Sequence, residues 1–183
     1  IISMGLLYLL TNLLLIPLYL AIYLALHRES PSAMLLALVL GLAGVIAYTA
    51  SNPCFEMLGL SQEYARASVE SDRLILLAAG KAMLAAYTGT AFNVYYVLNG
   101  IFLLLSGSVM LRGQVFSRAT GGWGLASGVL MAVPSTADVI GPVFALASLL
   151  PWIVFSVLVA KRLFHLSSLK VASQGSTGLG LVP

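Results

Sequence analysis

Residues Ser68 to Gly100 read SVESDRLILLAAGKAMLAAYTGTAFNVYYVLNG. The stretch opens on a charged shoulder, Glu70, Asp72 and Arg73, and then runs apolar around a single lysine, Lys81. It turns at Tyr87-Thr88-Gly89-Thr90 and returns through Asn93, Tyr95, Tyr96 and Asn99. Two apolar runs of helix length on either side of a short Gly-Thr turn predict an antiparallel helical hairpin. Such greasy helices pose a question about their solvent, and the rest of the chain answers it.

The sequence has 183 residues, of which 60% are hydrophobic and 8% charged, with a mean hydropathy of +1.02. A water-soluble domain carries about 25% charged residues, because its surface must face water. This chain has too few, so its surface faces lipid. A bilayer core about 30 Å thick takes about 20 apolar residues per helix, which leaves room for six spans. The expected fold is therefore all-α, a polytopic transmembrane helix bundle. Residues 1–166 form its one domain. Residues 167–183 are Gly/Ser-rich without helical period and read as a flexible tail or linker remnant. The abrupt start at Ile1 leaves room for a seventh span in a longer chain.

The spans fall near Met4–Leu26, Ser32–Ser51, Glu70–Tyr87, Phe92–Leu111, Thr120–Val133 and Asp138–Phe164. Pro17 and Pro151 predict kinks inside the first and last. Asn52-Pro53 ends the second, since a residue before proline avoids the helical region. A polar, amphipathic connector, Cys54 to Val69, follows it. Alternating the sides puts Arg66, Arg73, Arg112, Arg118, Lys161, Arg162 and Lys170 on one face of the membrane and only Arg28 on the other. By the positive-inside rule the first group is cytoplasmic.

The net charge of +3 is no sign of nucleic-acid binding, because the basic residues sit at span ends without interleaved aromatics. Cys54 is the only cysteine, and His27 and His165 lie at span ends, so no metal or cofactor is expected. The sequence has no HExxH, GxSxG or phosphate-cradling loop.

Lys81 is the least expected residue. A lysine at the bilayer centre costs about 2.5–3.5 kcal/mol on insertion scales and usually faces the bundle interior. In a hairpin it lies level with Asn99, which shares a helical face with Tyr95. Lys81, Asn99, Tyr95, Thr88 and Glu70 then make one polar centre, able to hold a small polar or anionic ligand. The bland alternative is hydrogen bonding that only holds helices together. Tyr48, Asn52 and Glu56 share a spacing of four and form a candidate cytoplasmic vestibule, or simply a kinked helix with an interfacial carboxylate. Gly124 and Gly128 form a GxxxG, suited to close packing within the chain or to a homo-oligomer.

The pieces Glu70–Gly80 (ESDRLILLAAG), Tyr87–Gly113 (YTGTAFNVYYVLNGIFLLLSGSVMLRG) and Phe116–Leu130 (FSRATGGWGLASGVL) resemble the bacterial domain-of-unknown-function 4386 family of small multi-pass membrane proteins. The resemblance covers most of Ile1 to Leu166. It implies a membrane bundle, brings no established activity and transfers no catalytic residue. The leading expectation is small-molecule binding, sensing or transport through the centre between spans three and four. One alternative is a structural membrane subunit without a ligand. Another is an intramembrane enzyme acting on a lipid or isoprenoid, with Glu56, Glu70 or Asp138 as its acid.

Overall fold

The computed structural model describes residues 2–133 and 140–178, and every regular element among them is helical. In order these are α1 (Ile2–Leu13), α2 (Leu15–Leu26), α3 (Pro31–Ala50), α4 (Cys54–Arg66), α5 (Glu70–Ala86), a π turn (Tyr87–Ala91), α6 (Phe92–Arg112), α7 (Arg118–Met131) and α8 (Ile140–Gly178). The expected Asp138 and its neighbours lie outside the described residues. The helix carries on past Leu166 to Gly178, through part of the stretch read as an aperiodic tail.

Local chemistry explains the boundaries. Pro17 lacks an N–H and its ring crowds the carbonyl four residues back, and the break between α1 and α2 falls there, at Leu14. Proline fits the first turn of a helix, where no N–H is needed, and Pro31 opens α3. At Asn52-Pro53 the helix stops, and the Asn52 side-chain oxygen accepts the Cys54 N–H at 3.2 Å. Ser117 caps α7 by accepting the Thr120 N–H at 3.2 Å.

Four stretches are long and apolar enough to cross a membrane: Gly5–Leu26, Pro31–Arg66, Glu70–Arg112 and Ile140–Ser168. The expected count of six is not reproduced, for two reasons. The 14-residue α7 is shorter than a full span. The Thr88-Gly89-Thr90 turn does not reverse the chain. Instead, α5, the π turn and α6 make one kinked helix, interrupted only at Gly89. Glycine and threonine are tolerated inside membrane helices because side chains re-satisfy the freed backbone. Here Thr88 Oγ1 donates to the Leu84 carbonyl at 2.9 Å and Asn93 Nδ2 donates to the Gly89 carbonyl at 2.8 Å.

The bundle is built on α6, with α3 against one side, α7 against another, α2 beside α3 and α8 beside α7. Tyr19, Ile22, Met34, Phe102, Met110 and Phe155 fill its core. Lipid offers no hydrophobic drive between helices, so close backbone approach carries the packing. A Cβ on Gly121 would stand 2.8 Å from the Gly107 carbonyl oxygen, and one on Gly128 would stand 2.9 Å from that of Gly100. Gly124 lies under the Phe155 ring. The GxxxG is thus used within the chain, against α6 and α8.

By contrast, α4 and α5 bury no residue and pack mainly on each other. They form a hairpin joined to the rest of the molecule through α1 and the π turn. The other end of the molecule gathers the α2–α3 loop, the α6–α7 loop and α8. The Gln114 N–H donates to Glu29 at 3.2 Å, and Arg162 Nε donates to the Val115 carbonyl at 2.6 Å. Arg28 therefore shares an end with Arg112, Arg118, Lys161 and Arg162. The expectation that it lies opposite them is corrected, because it assumed a reversal at Gly89.

Candidate functional site

The five side chains expected at one centre do not meet at one place. Asn99 and Tyr95 stay together in the bundle. Lys81 lies on α5, eighteen positions before Asn99 and on the other side of the kink at Gly89, so the two do not share a depth on adjacent helices. Thr88 is exposed and bonded to its own helix. Glu70 opens α5 and is exposed. The missing hairpin is the physical reason, since equal depth of Lys81 and Asn99 required it.

Lys81 lines a different hollow, a groove of about 350 Å³ between α4 and α5. The spacing of three and four residues places Met57, Leu60, Ser61 and Tyr64 along one face of α4. It places Leu77, Lys81 and Leu84 along one face of α5. Gly80 keeps the wall low, since a Cβ there would meet only the tip of Met57, its sulfur at 3.8 Å. At the bend of the hairpin the Arg73 guanidinium lies 5.8 Å from the Tyr64 ring centroid, and its Nε donates to the Ala67 carbonyl at 3.0 Å. The lining is apolar apart from Lys81, Ser61 and Tyr64, and Lys81 is its one charged group.

Asn99 is a bolt in the bundle. Its side-chain oxygen accepts the Tyr19 hydroxyl, and its amide donates to the Tyr95 carbonyl at 2.8 Å. Tyr19 also stacks on Phe102 with ring centroids 3.9 Å apart. The fit leaves no room for a side chain at Gly44, where a Cβ would stand 2.7 Å from Asn99 Nδ2. Beside the bolt a small hollow of about 80 Å³ is lined by Tyr95, Tyr96, Ser148 and Trp152 among others.

Two of the three vestibule residues share a hollow, and Tyr48 reaches it only through Tyr87, a partner the sequence did not suggest. Asn52 and Glu56 line a hollow of about 210 Å³ with Tyr87. The Tyr87 hydroxyl bonds that of Tyr48, whose ring lies 4.7 Å from the Tyr95 ring. The hollow sits at the end of α3 away from Arg112, so the expectation that it shares the Arg112 side is corrected. Tyr19, Tyr64 and Tyr87 were missed. Only the α4 spacing of Met57, Leu60 and Tyr64 was legible in advance, since the other contacts join distant parts of the chain. Among the described residues no group of three His, Cys, Asp or Glu side chains is placed to hold a metal.

The model of a family described as a domain of unknown function, DUF4386, matches residues 1–164. No curated protein and no solved structure matches the chain.

Proposed function

We propose, for a chain that belongs to the DUF4386 family and whose apolar helices are those of a membrane protein, that it binds an amphipathic anion in the α4–α5 groove. Such a ligand has a single apolar chain and a carboxylate or phosphate head. The observation that carries this reading is Lys81, the lone charge on the wall of an otherwise apolar groove. Ligand pockets run to about 300–1,000 Å³ and combine apolar walls with a few polar groups, and this groove fits that description. An ionisable residue in an apolar helix is a functional candidate by default. The Ser61 and Tyr64 hydroxyls supply further hydrogen bonds. The groove holds no paired carboxylates or activated nucleophile, so the reading is binding rather than chemistry. The cluster of positive charges at the end bearing Arg28 and Arg112 supports a cytoplasmic orientation for that end.

The test is the affinity of the purified protein for a fluorescent long-chain fatty acid. A charge-assisted hydrogen bond contributes about 1.5–3 kcal/mol, on the order of ten- to hundredfold in affinity. Lys81→Met should lose that much, and Lys81→Arg should keep most of it. Because Lys81 is exposed, neither change should shift the melting temperature. Unchanged binding by a folded Lys81→Met protein would sink the proposal.

The structural alternative is supported elsewhere, at Asn99. Its hydrogen bonds join α2 to α6 and hold helices together, as a scaffold reading expects.

A further inference from the structure

A further hollow lies at the opposite end of the molecule from the Lys81 groove. It measures about 650 Å³ and opens between the start of α3 and the end of α6. Ala33, Leu105 and Val109 make an apolar floor. Two opposite charges stand on its rim, the Glu29 carboxylate and the Arg112 guanidinium. Both side chains are exposed, and no ion pair joins them among the described residues. Glu29 is held in place. One of its oxygens accepts the Gln114 N–H at 3.2 Å. Its carboxylate also fills the space where Gly113 would carry a Cβ. Among the described residues Glu29 keeps acceptor capacity for a further donor, and the Arg112 guanidinium keeps donors for an acceptor.

From this geometry we infer that the hollow binds a zwitterion carrying a protonated primary amine and a phosphate, the headgroup chemistry of an ethanolamine phospholipid. The phosphate meets Arg112, whose planar fork suits paired oxygens. The ammonium meets Glu29. A purely anionic head would meet Glu29 unfavourably, and a quaternary ammonium would bring no N–H to it. The hollow lies at the ends of the spans, where headgroups sit, and its floor continues into the apolar faces of α3 and α6. Exposed Arg28, Arg118 and Lys161 at the same end add positive potential for the phosphate. The inference does not depend on the Lys81 groove.

The test uses the whole chain in nanodiscs holding equal parts ethanolamine, choline and glycerol phospholipids. The lipids retained on release are counted by native mass spectrometry. The wild-type protein should retain the ethanolamine lipid several-fold over both others. Glu29→Gln keeps an amide oxygen for the Gln114 N–H, so it should fold normally. It should lose the ethanolamine preference by about tenfold while holding the glycerol lipid as well or better. Arg112→Gln should weaken both. Soluble glycerophosphoethanolamine at millimolar concentration separates two sources: competition by it assigns the headgroup alone, and its failure assigns the intact lipid. Equal retention of the three lipids by the wild type would overturn the inference. So would an ethanolamine preference that survives Glu29→Gln.

Discussion

At the scale of the residue, Asn99 and Lys81 teach opposite lessons. The spacing of Tyr95 and Asn99 was enough to place them on one face of α6, because four residues return a helix to the same side. What Asn99 bonds to was not legible, since Tyr19 is eighty positions away. Lys81 was placed by counting from a turn, and it moved when the turn proved to be part of a helix. Its unexpectedness survived, because that came from its charge and not from its depth. The Asn99 bolt supports a quantitative prediction. Tyr19→Phe removes one donor and leaves the Asn99 oxygen buried without it, while Asn99→Ala removes both partners' contacts. Hydrogen bonds between membrane helices average about 0.6 kcal/mol and reach about 1.7 in double-mutant cycles. The Tyr19–Asn99 pair is buried and in ring contact with Phe102, so the upper part of that range is expected. Reversible unfolding of the two single variants and the double variant in mixed micelles measures it. A coupling energy of zero would mean that the bond holds nothing.

At the scale of the element, the stretch from Glu70 to Arg112 is where the sequence misled. A Thr-Gly-Thr run between apolar segments looks like a hairpin in water, where glycine and threonine favour turns. Inside an apolar helix the same residues bond back to carbonyls of the preceding turn, as Thr88 and Asn93 do here. The helix widens into a π turn and bends instead of reversing. The two readings place probes at different separations. Ala82 on α5 and Val97 on α6 are both exposed, so each accepts a spin label in a Cys54→Ala background. A continuous helix sets the labels about 22 Å apart by its rise, shortened somewhat by the bend. A hairpin would bring the two axes to about 8–10 Å. Pulsed dipolar spectroscopy on the labelled pair should give a distribution centred near 20 Å. A main population near 10 Å would restore the hairpin, and with it the meeting of Lys81 and Asn99.

At the scale of the whole molecule, composition alone was decisive for class. Eight per cent charge excludes a water-facing surface, and the helices bear this out. Topology was less legible, because alternating sides propagates one wrong turn through every later loop. The sequence placed Arg28 alone on its side. The structure binds the Arg28 loop to the α6–α7 loop through Glu29 and Gln114, and binds the latter loop to α8 through Arg162. Arg28, Arg112, Arg118, Lys161 and Arg162 then belong to one end, while Arg66 and Arg73 lie on the α4–α5 hairpin, a weaker bias than the seven against one read from the sequence. That arrangement is open to a direct measurement. Single cysteines are introduced at Arg28, at Ser117 and at Gln62 in the α4–α5 hairpin, again in a Cys54→Ala background. All three side chains are exposed. A membrane-impermeant maleimide is applied to intact cells and to permeabilised ones. Arg28→Cys and Ser117→Cys should behave alike, both protected until the membrane is opened, because positive loops stay inside. Gln62→Cys should react from outside without permeabilisation. Opposite behaviour of positions 28 and 117 would break the shared end, and with it the hollow between Glu29 and Arg112. Matched labelling of both from outside would keep the architecture and reverse only its orientation.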